Sequence, residues 1–250
     1  ENLDKNPEVL RALNLTIEAK DSTNDGVADT LKIQFGALAV IDEDSNGKIE
    51  SLVAIFARLY GVDANRDDAP EHVEMELLAV DGTDRNEDNI TERAIVGYAK
   101  VELNDTNSNG VFEDGRFMRV VYAGKDSNSN GIKEYESIYL ENATFHDTND
   151  DGNPEEVFWA QLIGEHNDTN EDGNYEIQRA LYRDVILRDS NSNGIYENVT
   201  AHVVYYEGED SNSDGTEDSV YIKLIVYNGE DTDEDGFIDV ETIAVYEYRK

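Results

Sequence analysis

Cysteine is missing from this 250-residue chain, so neither a disulfide framework nor a thiolate metal site can form. An oxidising compartment remains open to it. Proline occurs three times and histidine four, and 20 basic residues face 57 acidic ones, for a formal charge of −37. A surface so one-signed repels nucleic acid and anionic membranes and draws cations. No apolar run approaches the roughly 20 residues of a membrane helix, and no signal peptide is present, so membrane insertion is not expected. The first residue is Glu1 rather than Met, which reads as a processed or excerpted segment.

Catalytic signatures are equally scarce. There is no G-x-S-x-G elbow, phosphate-binding glycine loop or H-E-x-x-H. His72, His146, His166 and His202 fall at different places in the repeat described next, so no shared histidine site emerges. Clusters such as Tyr205-Tyr206 with Tyr227, and Tyr246 with Tyr248, suit strand packing better than a sugar-stacking platform. The expectation is a protein without catalytic residues.

What the chain has is one motif, again and again. DSNSNGIYE, Asp189 to Glu197, carries oxygen-bearing side chains at positions 1, 3, 5 and 9 and glycine at position 6. That spacing wraps alternate oxygens around a hard cation, with the glycine at the turn. Copies start at Asp21, Asp42, Asp63, Asp84, Asp105, Asp126, Asp147, Asp168, Asp189, Asp210 and Asp231, always 21 residues apart. Extrapolation adds a twelfth unit at the start, with Asn2, Asp4 and Glu8 on positions 3, 5 and 9, so residues 1–250 read as a single tandem-repeat β domain. Position 9 is acidic throughout, and glycine gives way at position 6 to Lys5, Asp68 and Asn89.

Between loops lie stretches such as Ser219 to Glu230, rich in Val, Ile and Tyr and alternating in polarity, which predict strands of about ten residues. Position 13 is always apolar, as in Ile33, Met75, Phe117, Trp159 and Ile222, and is expected to face a core. The alternation slips near positions 15 to 17, as at Tyr182-Arg183-Asp184-Val185, which predicts a bulge in a bent strand. The three prolines, Pro7, Pro70 and Pro154, sit at position 8, outside the strand body. Glycine recurs at position 20 in Gly61, Gly82, Gly124, Gly208 and Gly229.

Loop width selects the topology. Parallel coils would stack the loops about 4.8 Å apart, too close for self-contained ion coils, whereas a meander sets alternate loops about 10 Å apart on each edge. The expected fold is all-β: twelve antiparallel strands with loops at both ends, closed into a barrel or flattened into a sandwich. The alternative is a six-bladed β-propeller, which needs turns inside the units, at pairs such as Gly36-Ala37 and Arg183-Asp184.

The pattern D-x-[DN]-x-[DN]-G-x-x-[DE] resembles the calcium hairpin loops of integrin α-subunit and related FG-GAP propellers, and thrombospondin type 3 repeats. It departs from an EF-hand, because position 12 holds Arg179, Thr200 and Tyr221 where that motif has glutamate. The resemblance covers about nine of every 21 residues and implies a ligand set. Position 1 supplies the eleven aspartates named above. Position 3 supplies Thr23, Asp44, Asn65, Asn86, Asn107, Asn128, Asn149, Asn170, Asn191, Asn212 and Asp233. Position 5 supplies Asp25, Asn46, Asp67, Asp88, Asn109, Asn130, Asp151, Asp172, Asn193, Asp214 and Asp235. Position 9 supplies Asp29, Glu50, Glu71, Glu92, Glu113, Glu134, Glu155, Glu176, Glu197, Asp218 and Asp239. Backbone carbonyls come from position 7: Val27, Lys48, Ala69, Ile90, Val111, Ile132, Asn153, Asn174, Ile195, Thr216 and Phe237.

Eleven calcium ions carry +22 and would bring −37 to −15. With amides at most position-3 sites, dissociation constants of about 10⁻⁴ to 10⁻³ M are expected, the range of extracellular modules. Sequons at Asn89, Asn104, Asn142, Asn167 and Asn198 are candidate glycan acceptors, whereas Asn14 falls at an inward position. Together these features predict a calcium-stabilised extracellular structural protein that assembles with itself, head to tail, into a fibre or surface layer. A calcium-dependent glycan- or protein-binding module is the second reading, and a propeller enzyme the third.

Overall fold

A computed structural model of the chain describes residues 9–44 and 46–250. The strands are β1 Val9–Lys20, β2 Thr30–Ile41, β3 Ser51–Val62, β4 His72–Thr83, β5 Arg93–Asn104, β6 Asp114–Lys125, β7 Tyr135–His146, β8 Glu156–Asn167, β9 Ile177–Arg188, β10 Asn198–Glu209, β11 Ser219–Glu230 and β12 Val240–Arg249. They form one sheet in chain order, and every neighbouring pair is antiparallel. The twelve-stranded meander with its 21-residue period is as expected. It lies flattened and open: among the described residues β1 and β12 do not pair with each other and no barrel closes. Each unit is one continuous strand, so the internal turns of a propeller do not occur.

The predicted bulge is absent. β9 and β10 pair without interruption through Tyr182↔Val204, Arg183↔Val203, Asp184↔His202 and Val185↔Ala201. Parity explains the slip in the pattern. Each antiparallel pair joins odd numbers to odd and even to even, so odd-numbered residues share one face and even-numbered residues the other. The period of 21 is odd, so every repeat position changes face from one strand to the next. Position 13 therefore does not face a single core: Met75, Phe117 and Trp159 lie on the odd face, Ile138 and Ile222 on the even face. Position 13 pairs with position 18 of the neighbour, as in Ile138↔Tyr122, and both faces acquire the same apolar belt.

Those belts remain open to solvent. Among the described residues no hydrophobic side chain is buried, and Leu13 is 73% exposed. The accessible surface is 14742 Å², against about 11,000 Å² for a compact monomer of this mass. Asn14, placed inward by its repeat position, is exposed for the same reason: the single layer has no inward side. Position-20 glycines have a local use. The hydroxyls of Tyr122, Tyr206 and Tyr227 lie 2.6–2.7 Å from where a Cβ on Gly124, Gly208 or Gly229 would be, so each ring covers the glycine two residues on. Among the described residues no helix is long and apolar enough to cross a membrane.

Candidate metal centre

Among the described residues the buried polar side chains are loop carboxylates, apart from Gln161 in β8 and Asp184 in β9. Asp126, Asp147 and Asp168, all at position 1, are at most 1% exposed. Each position-1 aspartate is an internal cap. In the Asp189 loop, Oδ2 accepts the Gly194 N–H at 2.6 Å and Oδ1 the Ser192 N–H at 2.7 Å. Asn193 Oδ1 accepts the Ile195 N–H at 2.8 Å, and Glu197 accepts the Ser190 N–H at 2.6 Å. These contacts draw positions 1, 5 and 9 into one coil. The position-6 N–H to position-1 bond recurs in all eleven loops, including those with Asp68 (3.1 Å) and Asn89 (3.0 Å) in place of glycine. Asp68 and Asn89 hold φ of +69°, beside +85° at Gly194. The loops without glycine thus keep the geometry.

One column escaped the sequence reading. Position 4 also lies in the left-handed region, at Asn24, Arg66, Glu87, Ser108, Ser129, Asp150, Glu171, Ser192, Ser213 and Glu234. This conformation is unfavourable for side chains other than Gly, Asn and Asp, and a mixture of Ser, Glu and Arg gives no hint of it. Its reason lies between repeats of the same chain: loops 42 residues apart stack along an edge. The position-1 N–H donates to the position-9 carbonyl of the preceding loop on that edge, as in Asp63 to Asp29 (3.0 Å) and Asp231 to Glu197 (2.9 Å), nine times in all. The left-handed turn carries position 4 onto that preceding loop. Ser213 Oγ donates to Glu176 at 2.7 Å, Ser129 Oγ to Glu92 at 3.1 Å and Arg66 Nε to Asp29 at 2.5 Å.

Three loops bring carboxylate oxygens within 4.8 Å of one another: Asp42, Asp44 and Glu50; Asp168, Asp172 and Glu176; Asp231, Asp233 and Asp239. Glu50, Glu113, Glu155 and Glu197 each keep one buried oxygen that meets no donor, and so does Asp84. A carboxylate oxygen held from water without a partner is costly. A hard cation fits that deficit, since it prefers several oxygen ligands and the donor set here is carboxylate, amide and carbonyl. Burial pushes the Glu155 and Glu176 carboxyls up, but the N–H and hydroxyl donors of Thr148 and Thr169, joined at Glu176 by the Ser213 hydroxyl, outweigh it and hold both below the usual range. The Ser211 and Thr232 hydroxyls hold Asp218 and Asp239 down. Glu87 moves the other way: the Asn46 amide lowers it, yet desolvation and the nearby Glu50 and Asp44 charges win.

The histidines do not converge. His72 bonds Asn104 (2.7 Å), His146 bonds Asp114 (2.5 Å), His202 bonds Asp184 (2.8 Å), and His166 packs at a tilt against Tyr175, with ring centroids 4.7 Å apart. Of the sequon asparagines, Asn104 and Asn167 end strands, Asn198 begins one, Asn142 lies within β7 and Asn89 within a loop. Comparison of the chain with family models, with curated proteins and with solved structures gives no match in any of the three.

Proposed function

We propose that the loops bind calcium and that the protein is an extracellular structural element whose fold depends on that ion. The observation that carries this reading is the set of buried, donorless oxygens on Glu50, Glu113, Glu155 and Glu197, inside coils whose other side chains are carboxylates and amides. The ion neutralises charge there, and the chain's own residues do the rest. Position 1 organises the turn through N–H groups, position 9 closes it, and the stacking N–H to carbonyl bonds tie each loop to the next on its edge. An affinity of the expected order supports extracellular placement: at a dissociation constant of ~10⁻⁴ M, ~1 mM calcium would add roughly 1.4 kcal/mol per site.

Self-assembly is supported by the sheet. Among the described residues β1 and β12 each have one unpaired edge, and two apolar belts lie open. A row of free N–H and C=O groups pairs readily with another strand, and a second copy continues the same register without a new rule. Of the tyrosines weighed for a glycan platform, Tyr206 and Tyr227 cover glycines, and Tyr246 and Tyr248 are exposed on the edge strand β12.

Thermal unfolding with calcium and with chelator tests the ion; equal midpoints would sink it. Electron microscopy of the calcium-loaded protein tests assembly, for which the expected result is ribbons and the contrary one is dispersed single sheets at high concentration.

A further inference from the structure

The position-4 column follows a rule that the position-5 column explains. Where position 5 is asparagine, the loop stacked on it offers an acid at position 4: Asn46 meets Glu87, Asn109 meets Asp150, Asn130 meets Glu171 and Asn193 meets Glu234. Where position 5 is aspartate, the follower offers serine or arginine: Asp25 has Arg66, and Asp67, Asp88, Asp151 and Asp172 have Ser108, Ser129, Ser192 and Ser213. All nine stacked pairs obey this.

We propose that four cation sites, those of the loops beginning at Asp42, Asp105, Asp126 and Asp189, are completed in trans. The carboxylate missing from position 5 comes from Glu87, Asp150, Glu171 or Glu234 of the next loop on the same edge, and the divalent cation bridges the two loops. This deepens the calcium reading and rests on it.

Stacking hydrogen bonds alone do not account for the geometry. Asp150 takes amide hydrogens from Asn107 (Nδ2 to Oδ2, 2.6 Å) and Asn109 on one oxygen only. Its Oδ1 is buried without a donor, and so is Glu113 Oε1 of the same site, on a side chain 6% exposed. Glu50 repeats this beside Glu87, 5% exposed with Oε1 unpartnered, and Glu197 repeats it beside Glu234. By contrast, Glu92, Glu176 and Asp29 receive a donor on the second oxygen from Ser129, Ser213 and Arg66. Glu155 departs from this contrast, with a donorless Oε1 under Ser192. In three of the four loops the acid follower thus adds charge where an oxygen already lacks a partner; in the fourth, which begins at Asp126, both Glu134 oxygens accept the Ser127 N–H and the site is assigned by the shared position-4 and position-5 pattern. Like charges so placed repel unless a cation lies between them.

In the Asp42 loop, Asp44 and Glu87 both add to Asp42 and Glu50, and the Lys48 ammonium lies 3.9 Å from Glu87 Oε2. The lysine offsets the surplus charge there.

The test uses the full chain and calcium as the probe. Equilibrium dialysis counts bound ions, and thermal midpoints are followed across a calcium titration. The variants are Asp150→Ser with Glu171→Ser, the near-isosteric Asp150→Asn with Glu171→Gln, and the serine pair combined with Asn109→Asp and Asn130→Asp. Both removals are expected to raise the calcium needed at two sites about tenfold or more, the range over which groups surrounding metal ligands act. Moving the acids into cis should restore binding. Unchanged calcium binding in both removal variants overturns the proposal. So does an equal loss of stability in chelator and calcium that the cis aspartates fail to rescue, because that is a stacking role only. If the wild-type chain binds no calcium, the calcium reading itself fails, which dialysis of the unaltered protein reveals separately.

Discussion

The edges and the faces of this sheet reverse the usual division of a protein. In the edges, aspartates such as Asp168 are fully buried and every loop repeats one hydrogen-bond scheme. On the faces, Leu13, Ile17 and Ile243 are 60% exposed or more, and no second layer covers them among the described residues. Apolar burial normally dominates folding. Here the strand ladders are reinforced along the edges, where each loop bonds to the one 42 residues on. A protein of this kind is a ladder whose rails are polar, and its stability should respond to what happens in the rails.

The largest effect is therefore expected from a position-1 aspartate. Asp168→Ala strips the acceptors from the Gly173 N–H (2.8 Å) and the Glu171 N–H (2.6 Å) in a fully buried place. Two stranded donors cost about 3 kcal/mol or more together, and the loss of a ligand adds to it in calcium. Chemical denaturation in calcium should register the full loss, and in chelator the smaller part. Equal losses in both would separate the turn from the ion. Gly194→Ala comes next. At φ +85° a Cβ is strained by about 1–2 kcal/mol, whereas Asn89→Gly at φ +69° should gain a few tenths. Opposite signs for these two changes would confirm that position 6 is conformational rather than a ligand.

Much of this was readable without coordinates. The period, the strand in each unit, the alternation of loops between edges and the nine-residue coil all follow from residue types at fixed spacing, because turns and strands are local. Two things were not. Parity made position 13 look like one core column, although antiparallel pairing sends Phe117 and Ile138 to opposite faces. Position 4 looked unconstrained because its meaning lies 42 residues upstream: Asp150 is intelligible only beside Asn109. Both misses concern relations between units, which a single-unit template cannot contain.

A third, smaller effect probes the join between face and rail. Glu136, on the even face, accepts from Tyr122 (2.7 Å), Lys133 (2.9 Å) and Tyr175. Burial pushes its carboxyl up, but these donors outweigh it and hold it down at about 2, while Tyr175 is pushed up to about 12. A carboxyl depressed in the folded state stabilises above its unfolded value, 4.5, and that contribution is lost as pH falls toward about 2. Glu136→Gln should therefore lower the thermal midpoint at pH 6, and the gap to wild type should close between pH 4.5 and 2. A gap independent of pH would mean that shape rather than charge ties Tyr175 to the strand.

The smallest effect on folding is expected where an ordinary protein would show a large one. Leu13, in β1, is 73% exposed, beside Ala37 on the same face. Leu13→Ser removes almost no buried area from the isolated sheet, so unfolding at low concentration should change by less than about 0.5 kcal/mol. The same change should weaken association measured by sedimentation at high concentration, because the apolar belt then has less area to cover. Destabilisation of several kcal/mol at low concentration would show that the belt is covered within one chain and that the contrast between edges and faces is false. A neutral effect on folding combined with lost assembly would divide the labour: the loops hold the chain together, and the faces hold chains to one another.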